Sequence, residues 1–171
     1  MAVSVRRVRS AADYAAVALM LQEMAAWDEA EVARLGLPHA AVIPTYYGDA
    51  DAAGLKRSYG GAAAGLYLCR LDGVPAGCGA FAVADEVAEI GKVYVTPAAR
   101  GRGVGRAILT AVLREVDGLG CRRTRLVTTS FMAAARAMYA AFGFVPCPKF
   151  DDGDEVYDPI TVYLERVRGG A

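Results

Sequence analysis

The chain has 171 residues, a length that suits one domain able to bury a large fraction of its surface. Nineteen basic and nineteen acidic side chains cancel, so no global charge draws the chain to nucleic acid or to an anionic membrane. The sequence contains no apolar run of the roughly 18 residues that span a bilayer and no signal-peptide core near its N-terminus, which predicts a single cytoplasmic domain over residues 1–171.

The first half of the chain predicts a strand, a long helix and a three-stranded antiparallel meander. Ser10 and Asp13 resemble a capping box, and apolar residues then recur at helical spacing until about Gly36. In the irregular stretch 38–64 the sequence favours only one further helix, at about 49–58. The strands of this half are predicted at residues 3–8, 66–71, 75–84 and 88–95.

The second half alternates helices and strands. An amphipathic helix is predicted to follow the glycines near position 103 and to end at Gly118 or Gly120. A short strand over 125–129, a helix stopped by Gly143 and a final strand over 160–167 complete the chain. This order is typical of an α+β layout, in which helices cover a mostly antiparallel sheet.

The junction between the third meander strand and the following helix is the most informative stretch. Gly101, Gly103 and Gly105 occupy three of five positions, which lets the backbone turn sharply and bring its N–H groups close to a ligand. The helix N-terminus adds unpaired donors and a partial positive charge. The loop therefore predicts a binding site for phosphate groups.

Two well-known phosphate loops do not fit this spacing. The lysine-bearing P-loop needs a lysine after its last glycine, and none follows here. The dinucleotide fingerprint G-x-G-x-x-G would place Arg106 or Ile108 at its third glycine. The spacing present is R-x-x-G-x-G, formed by Arg100, Gly103 and Gly105.

That pattern resembles the acetyl-CoA-binding motif of the GNAT family of N-acetyltransferases. Residues 88–95 resemble the family's fourth strand, and residues 135–144 resemble its A-x-x-x-Y-x-x-x-G-F ending. The resemblance implies a GNAT-like α+β fold, with a mostly antiparallel central sheet of about six to seven strands flanked by about four helices. It also implies acetyl-CoA as the co-substrate.

The resemblance implies a set of residues that bind this co-substrate. Backbone N–H groups from about Arg102 to Arg106 would hold the pyrophosphate, and the arginines would add charge-assisted hydrogen bonds. Val93 and Val95 match the positions that pair with the pantetheine arm, and the N–H of Val93 or Tyr94 would polarise the thioester carbonyl. The full set is Val93, Tyr94, Val95, Arg100, Gly101, Arg102, Gly103, Val104, Gly105 and Arg106.

Tyr139 matches the tyrosine that many family members use to protonate the coenzyme A thiolate. A phenol has a reference pKa of about 10 and a thiol one of about 8.5, so this proton transfer is feasible. The alternative is a core tyrosine on an amphipathic helix. Where the family often has an asparagine in contact with the co-substrate, this chain has Met132, and Thr129 or Ser130 could substitute for it.

Glu89 matches the glutamate that acts as general base in histone-type members. Strand alternation predicts that Glu89 lies on the same face as Val93 and Val95. The alternatives are a solvated or ion-paired Glu89, a base at Glu86 or Asp85 in the preceding turn, or loss of the proton to water.

Other chemically conspicuous residues favour simpler interpretations. The four cysteines (Cys69, Cys78, Cys121 and Cys147) form no C-x-x-C pair, so with one histidine we expect reduced thiols and no metal site. That histidine, His39, lies in an irregular segment, which favours a surface residue over a catalytic base. We interpret Trp27, Tyr46 and Tyr47 as core or surface residues rather than specificity elements.

The sequence thus predicts an N-acetyltransferase that transfers an acetyl group from acetyl-CoA to a primary amine by direct attack in a ternary complex. The neutral net charge favours a small-molecule acceptor. Two alternatives stay open: a protein or peptide N-acetyltransferase, and a non-catalytic acyl-CoA-binding regulatory module. The resemblance also allows a homodimer.

Overall fold

The computed structural model describes residues 1–168 and contains one seven-stranded sheet in the order β1-β2-β3-β4-β5-β7-β6. All neighbouring strands are antiparallel except β4 and β5, which are parallel. The strands are β1 (Val3–Arg7), β2 (Ala64–Leu71), β3 (Val74–Ala84), β4 (Val87–Val95), β5 (Arg123–Thr129), β6 (Val145–Pro146) and β7 (Thr161–Val167). The predicted α+β class and mostly antiparallel sheet are confirmed, and β6 is the one strand that the sequence did not predict.

Five α-helices flank the sheet, one more than the approximate number predicted. They are α1 (Ala11–Arg34), α2 (Val42–Tyr46), α3 (Ala52–Tyr59), α4 (Val104–Gly118) and α5 (Ala133–Ala141). Two 3-10 turns, Pro97–Ala99 and Glu155–Ile160, complete the helical structure. The predicted helix at about 49–58 corresponds to α3, whereas the single turn of α2 was missed because five residues carry too little periodicity. Within residues 1–168, no helix is long and apolar enough to cross a membrane.

The sheet separates two hydrophobic clusters. On one face, α4 packs fully buried Ile108 and Val112 against Phe81 of β3. On the other face, Leu21 of α1 and Leu55 of α3 pack against the same sheet and are also fully buried. Burial on this scale contributes roughly 1.5–3 kcal/mol for each large aliphatic or aromatic side chain and fixes the helices that carry the site.

A β-bulge interrupts β4 just before the glycine loop. Tyr94 pairs with Cys78 and Gly91 pairs with Ala80, so two residues of β4 lie opposite one residue of β3. Lys92, one of the two, has a φ of 55°, a left-handed conformation that a non-glycine residue rarely adopts. An extra residue in one strand shifts the alternation of side chains beyond it.

The bulge makes one sequence prediction wrong. Ile90 packs in the cluster on the α4 face, and Val93 and Val95 pack against that same cluster. Tyr94 lies in the cluster on the opposite face. Glu89 is adjacent to Ile90 and so faces the α1–α3 side, not the side of Val93 and Val95 as regular alternation predicted.

The parallel pair β4–β5 separates beyond its first residues. Its pairing runs from Val87 and Arg123 to Ile90 and Leu126, and no pairs follow within the described chain. The edge of β4 from Gly91 onward therefore faces a cleft instead of β5. Helix α5 lies across that cleft, where its residues line the opposite wall.

Candidate active site

The glycine loop has the geometry of an anion-binding turn. Gly101 and Gly103 have φ angles of 72° and 78°, values that glycine adopts with little strain. Gly103 is the N-cap of α4, and no side chain caps this helix end. The first helical hydrogen bond runs from the Ala107 N–H to the Gly103 carbonyl oxygen at 3.0 Å. The preceding amides are thus free of helical acceptors, as phosphate binding requires.

A cavity of about 430 Å³, here called the cofactor cleft, opens beside this loop. The free edge of β4 and the loop form one wall, and Ala134, Ala135 and Met138 of α5 form the other. Nine of the ten predicted cofactor-binding residues line the cleft. Arg102 does not line it and is exposed on the outer side of the turn.

Two arginines flank the cleft entrance. The Nε of Arg100 donates to the carbonyl oxygen of Val95 at 3.3 Å, which ties the loop to the end of β4. The guanidinium of Arg106 lies 5.4 Å from the centre of the Phe142 ring. Both residues are exposed, so their positive charges are available to phosphate oxygens at the loop.

A second cavity of about 360 Å³, here called the acceptor cavity, lies between β4, β5, α1, α2 and the turn Glu155–Ile160. Five side chains, here called the junction, line both this cavity and the cofactor cleft. The junction consists of Met24, Val93, Phe131, Met132 and Ala135. A group held in the cofactor cleft can therefore meet one held in the acceptor cavity at these residues.

Tyr139 lines the acceptor cavity and lies one helical turn beyond Ala135 of the junction. Its side chain is buried, with its ring 5.9 Å from that of Phe144 in an edge-to-face arrangement. Burial raises the pKa of the Tyr139 phenol above its ordinary value, so the hydroxyl is protonated at neutral pH. The structure thus places a protonated phenol beside the junction.

Glu89 also lines the acceptor cavity, on the side away from the cofactor cleft. The carboxylate has no hydrogen-bond or ion-pair partner among the described residues. Its pKa is raised by partial burial and by the nearby charge of Asp151, against the opposing effect of Arg125. An unpaired carboxylate with a raised pKa is suited to accept a proton.

Asp28 is a cavity residue that the sequence reading missed. It lies on α1 one turn beyond Met24 of the junction, and its Oδ2 accepts a hydrogen bond from the hydroxyl of Tyr47. Its Oδ1 is buried without a hydrogen-bond partner in the described chain. Burial raises the pKa of Asp28 to about 6, and the Tyr47 bond partly offsets this shift. The only signal in the sequence was an aspartate on the apolar face of α1, at four-residue spacing from Met24 and Val32.

Three aromatic residues lie in the walls of the two cavities. Tyr46 and Tyr47 line the acceptor cavity, because the single turn of α2 closes over it. Trp27 lines the cofactor cleft, with its ring 5.5 Å from that of Phe131. Trp27 and Tyr46 are also partly exposed, as expected of surface residues.

The segment before α5 does not restore the family's asparagine contact. Met132 lies in the junction, and Thr129 lines the acceptor cavity rather than the cofactor cleft. Ser130 lines neither cavity.

His39 is half exposed, with its Nδ1 3.6 Å from Glu29, and lines neither cavity, as predicted for a surface residue. Within residues 1–168, no three histidine, cysteine or acidic side chains cluster as metal ligands would.

The whole arrangement matches a known protein family. Residues 29–144 match the model of the acetyltransferase (GNAT) family, a span that includes β4, the glycine loop and α5. The chain belongs to the GNAT family. Membership confirms the family that the resemblance in the sequence indicated.

Curated relatives are similar over parts of their length. The chain is 31% identical over 101 residues to an IAA acetyltransferase of Azospirillum brasilense, which is 58% of this chain and 65% of that protein. It is 36% identical over 75 residues to a mycothiol acetyltransferase of Paenarthrobacter aurescens, which is 42% of this chain and 22% of that protein. The chain thus spans less than two thirds of these relatives.

Solved structures of acetyltransferases share the fold over nearly the full chain. The PaiA N-acetyltransferase of Thermoplasma acidophilum, solved in complex with coenzyme A, superposes with a TM-score of 0.76 at 16% identity. That match covers 98% of this chain and 100% of the other. A GNAT acetyltransferase of Staphylococcus aureus gives a TM-score of 0.75 at 12% identity and covers 97% and 99% of the two chains.

Proposed function

We propose that this GNAT protein transfers an acetyl group from acetyl-CoA to a primary amine of a small molecule, by direct attack in a ternary complex. The observation that carries the proposal is the junction, where a cleft with an anion-binding loop meets a second cavity beside Tyr139. Two substrates held in separate cavities with one meeting point are arranged for direct transfer, since orientation alone can supply much of the rate. The cytoplasmic location and the homodimer stay predictions.

The residues of the cofactor cleft fit acetyl-CoA. The free amides at the start of α4, together with Arg100 and Arg106, would bind the pyrophosphate. The unpaired edge of β4 from Val93 to Val95 would pair with the amides of the pantetheine arm. Bound in this way, acetyl-CoA supplies the thioester carbon at the junction, where the backbone N–H of Val93 or Tyr94 would polarise its carbonyl.

Glu89 and Tyr139 would move the two protons of the reaction. The amine nitrogen forms a bond to the acyl carbon as the carbon–sulfur bond breaks, so the amine loses a proton and the sulfur gains one. Glu89 lies four residues before Val93, about 13 Å along an extended strand, and would receive the amine proton through water in the open cavity. Tyr139 would give its phenol proton to the sulfur as the carbon–sulfur bond breaks, and would regain a proton from water before the next turnover.

The shape of the acceptor cavity favours a small molecule. Tyr46 and Tyr47 of α2 close one side, and Tyr157 of the turn Glu155–Ile160 packs edge to face on Tyr46 at 5.8 Å between ring centres. A cavity closed on these sides suits a compact acceptor better than a protein surface. Two of the relatives are named as acetyltransferases of IAA and of mycothiol.

The proposal is tested by calorimetry of acetyl-CoA binding, followed by free-thiol release with a panel of amines, amino acids, polyamines and aminoglycosides. Micromolar binding together with thiol release for one amine class is the expected result. Binding without thiol release from any amine would contradict small-molecule transfer and favour a protein acceptor or a regulatory module. Failure to bind acetyl-CoA would contradict the assignment of the cofactor cleft.

A further inference from the structure

The acceptor cavity is strongly acidic. Among the described residues that line it, four carry carboxylates, namely Asp28, Glu89, Asp151 and Asp154, and one, Lys92, is basic. The cavity wall thus has a formal excess of three negative charges within a chain whose own net charge is zero. A low-dielectric cavity lined by one sign of charge concentrates ligands of the opposite sign.

The single lysine does not neutralise these carboxylates. The Nζ of Lys92 donates to the carbonyl oxygen of Tyr46 at 3.0 Å and to Oδ1 of Asp49 at 3.2 Å. Asp49 lies outside the cavity lining, so it and Lys92 form an ion pair of their own. Lys92 is therefore not paired with any of the four carboxylates that line the cavity, and Arg125, whose charge acts on Glu89, lies outside the lining.

Aromatic rings cover much of the remaining wall. Tyr46, Tyr47, Tyr59, Tyr157 and Tyr163 all line the acceptor cavity. The faces of such rings attract cations, and carboxylates add to this attraction. Carboxylates interleaved with tyrosine rings form a surface that binds ammonium groups and repels carboxylates or phosphates.

Asp28 is the member of this set with a buried acceptor atom that lacks a partner in the described chain. Tyr47 occupies its Oδ2, whereas its Oδ1 is buried and has no partner within the described residues. A buried carboxylate oxygen without a donor costs free energy that a charged donor would recover. Thr129 Oγ1, also without a partner in the described chain, belongs to a residue of the same cavity. Both atoms point to a polar ligand rather than to an apolar one.

We propose that the acceptor is an amine with a second positive charge, and that Asp28, held by Tyr47, binds the ammonium that does not react. The inference rests on the proposed function and specifies its substrate class. Asp28 lies four residues, about 6 Å along the axis of α1, from Met24 in the junction. An amine that reacts at the junction thus places a second ammonium near Asp28 when a short alkyl chain separates the two.

Three acceptors of equal length test the charge requirement by free-thiol release with saturating acetyl-CoA. They are a four-carbon terminal diamine, pentylamine and gamma-aminobutyrate, which carry a cation, a methyl group or a carboxylate at the distal end. The expected kcat/KM for the diamine exceeds that for pentylamine at least tenfold, the gain typical of a hydrogen bond between charged groups. Gamma-aminobutyrate is expected to be the poorest acceptor.

Asp28→Asn tests the residue, because the amide keeps the shape and the bond from Tyr47 but removes the charge. The expected result is a fall of roughly tenfold in kcat/KM for the diamine, a change of less than about threefold for pentylamine and an unchanged KM for acetyl-CoA. Asp152→Asn is the matched control, since this exposed carboxylate lies outside the cavity and its removal changes the net charge equally.

The outcomes separate this inference from the proposed function. Equal kcat/KM for the diamine and pentylamine would overturn the cationic acceptor while thiol release would still support the transferase. An equal loss for both amines in Asp28→Asn would overturn the role of Asp28 in binding the distal charge. Absence of thiol release with every amine, despite acetyl-CoA binding, would overturn the proposed function and this inference together.

Discussion

The Nζ of Lys92 lies 3.2 Å from Oδ1 of Asp49, and this ion pair joins the bulge of β4 to the segment that closes the acceptor cavity. The same nitrogen also binds the last carbonyl of α2, at Tyr46, and lies 5.5 Å from the centre of the Tyr47 ring. The left-handed backbone of Lys92 thus directs its side chain to Tyr46, Tyr47 and Asp49, here called the cover of the acceptor cavity.

Lys92→Met is expected to loosen this cover. The variant keeps the alkyl stem and removes the donors to Tyr46 and Asp49, so the KM for the amine acceptor should rise several-fold. The KM for acetyl-CoA should not change, because Lys92 does not line the cofactor cleft. Steady-state kinetics with each substrate varied in turn measures both constants. Lys56→Met, on the exposed side of α3, is the control, and a rise in both KM values would contradict a role confined to the cover.

Tyr139→Phe removes the proposed donor to the sulfur. We expect kcat to fall about 100-fold or more, as is typical for the loss of a general acid, with an unchanged Kd for acetyl-CoA by calorimetry. Tyr67→Phe is the matched control, because Tyr67 is buried in the same hydrophobic cluster but lines neither of the two cavities. Undiminished kcat in Tyr139→Phe would leave this tyrosine a core residue, the alternative that the sequence left open.

Glu89→Gln tests the general base through the pH dependence of kcat. The pKa of Glu89 is raised by burial and by Asp151, so in the wild type kcat should fall on acidification at a pH above the ordinary carboxyl range. Protonation removes the acceptor of the amine proton, which is why activity is lost on the acid side. In Glu89→Gln, kcat should be low at all pH values and the acid limb should disappear.

Asp28 is the alternative general base that the same experiment can identify. Its pKa of about 6 would also give an acid limb, if it rather than Glu89 accepted the proton. An acid limb near pH 6 that persists in Glu89→Gln and disappears in Asp28→Asn would assign the base to Asp28 and contradict the proposed role of Glu89.

The sequence predicted the cofactor cleft much better than the acceptor cavity, for a physical reason. The cleft is formed by neighbours in sequence, since a strand, a glycine turn and a helix N-terminus bring Val93 to Arg106 together by local geometry. The acceptor cavity instead joins α1, α2, β4, β5 and the turn before β7, so Asp28 and Asp151 meet only through the tertiary fold. The face of Glu89 was predicted wrongly because the pattern of β4 does not reveal a bulge at Lys92.

The glycine loop can be tested with two glycines of equal strain. Gly103 and Gly120 have φ angles of 78° and 80°, and a Cβ at either would meet no protein atom within 4 Å. Alanine at either position should destabilise the fold by about 1–2 kcal/mol through its left-handed backbone. Gly103→Ala alone should also weaken acetyl-CoA binding in calorimetry, because only Gly103 lines the cofactor cleft. Equal affinities in the two variants would contradict phosphate binding at the start of α4.

Asp28→Asn should make the protein more stable at neutral pH while it impairs the diamine reaction. The folded-state pKa of Asp28, about 6, lies above the unfolded value of about 3.9, so the native state binds more protons than the unfolded state between these values. The free energy of unfolding therefore falls as pH rises from about 4 to 6, and the full cost of the buried charge is present above that window.

Removing this charge should raise the free energy of unfolding by roughly 1–2 kcal/mol at pH above the window, less than the full shift because the new amide lacks a partner of its own. For a chain of this size, such a gain raises Tm by about 2–8 °C. Thermal melts of the wild type and Asp28→Asn on both sides of the window measure the effect, and Asp152→Asn again serves as the control.

The gain should vanish at acidic pH, where Asp28 is protonated in both states. A stabilisation that is the same at acidic and neutral pH would contradict a buried charge at Asp28, because only an ionised carboxylate makes the difference depend on pH.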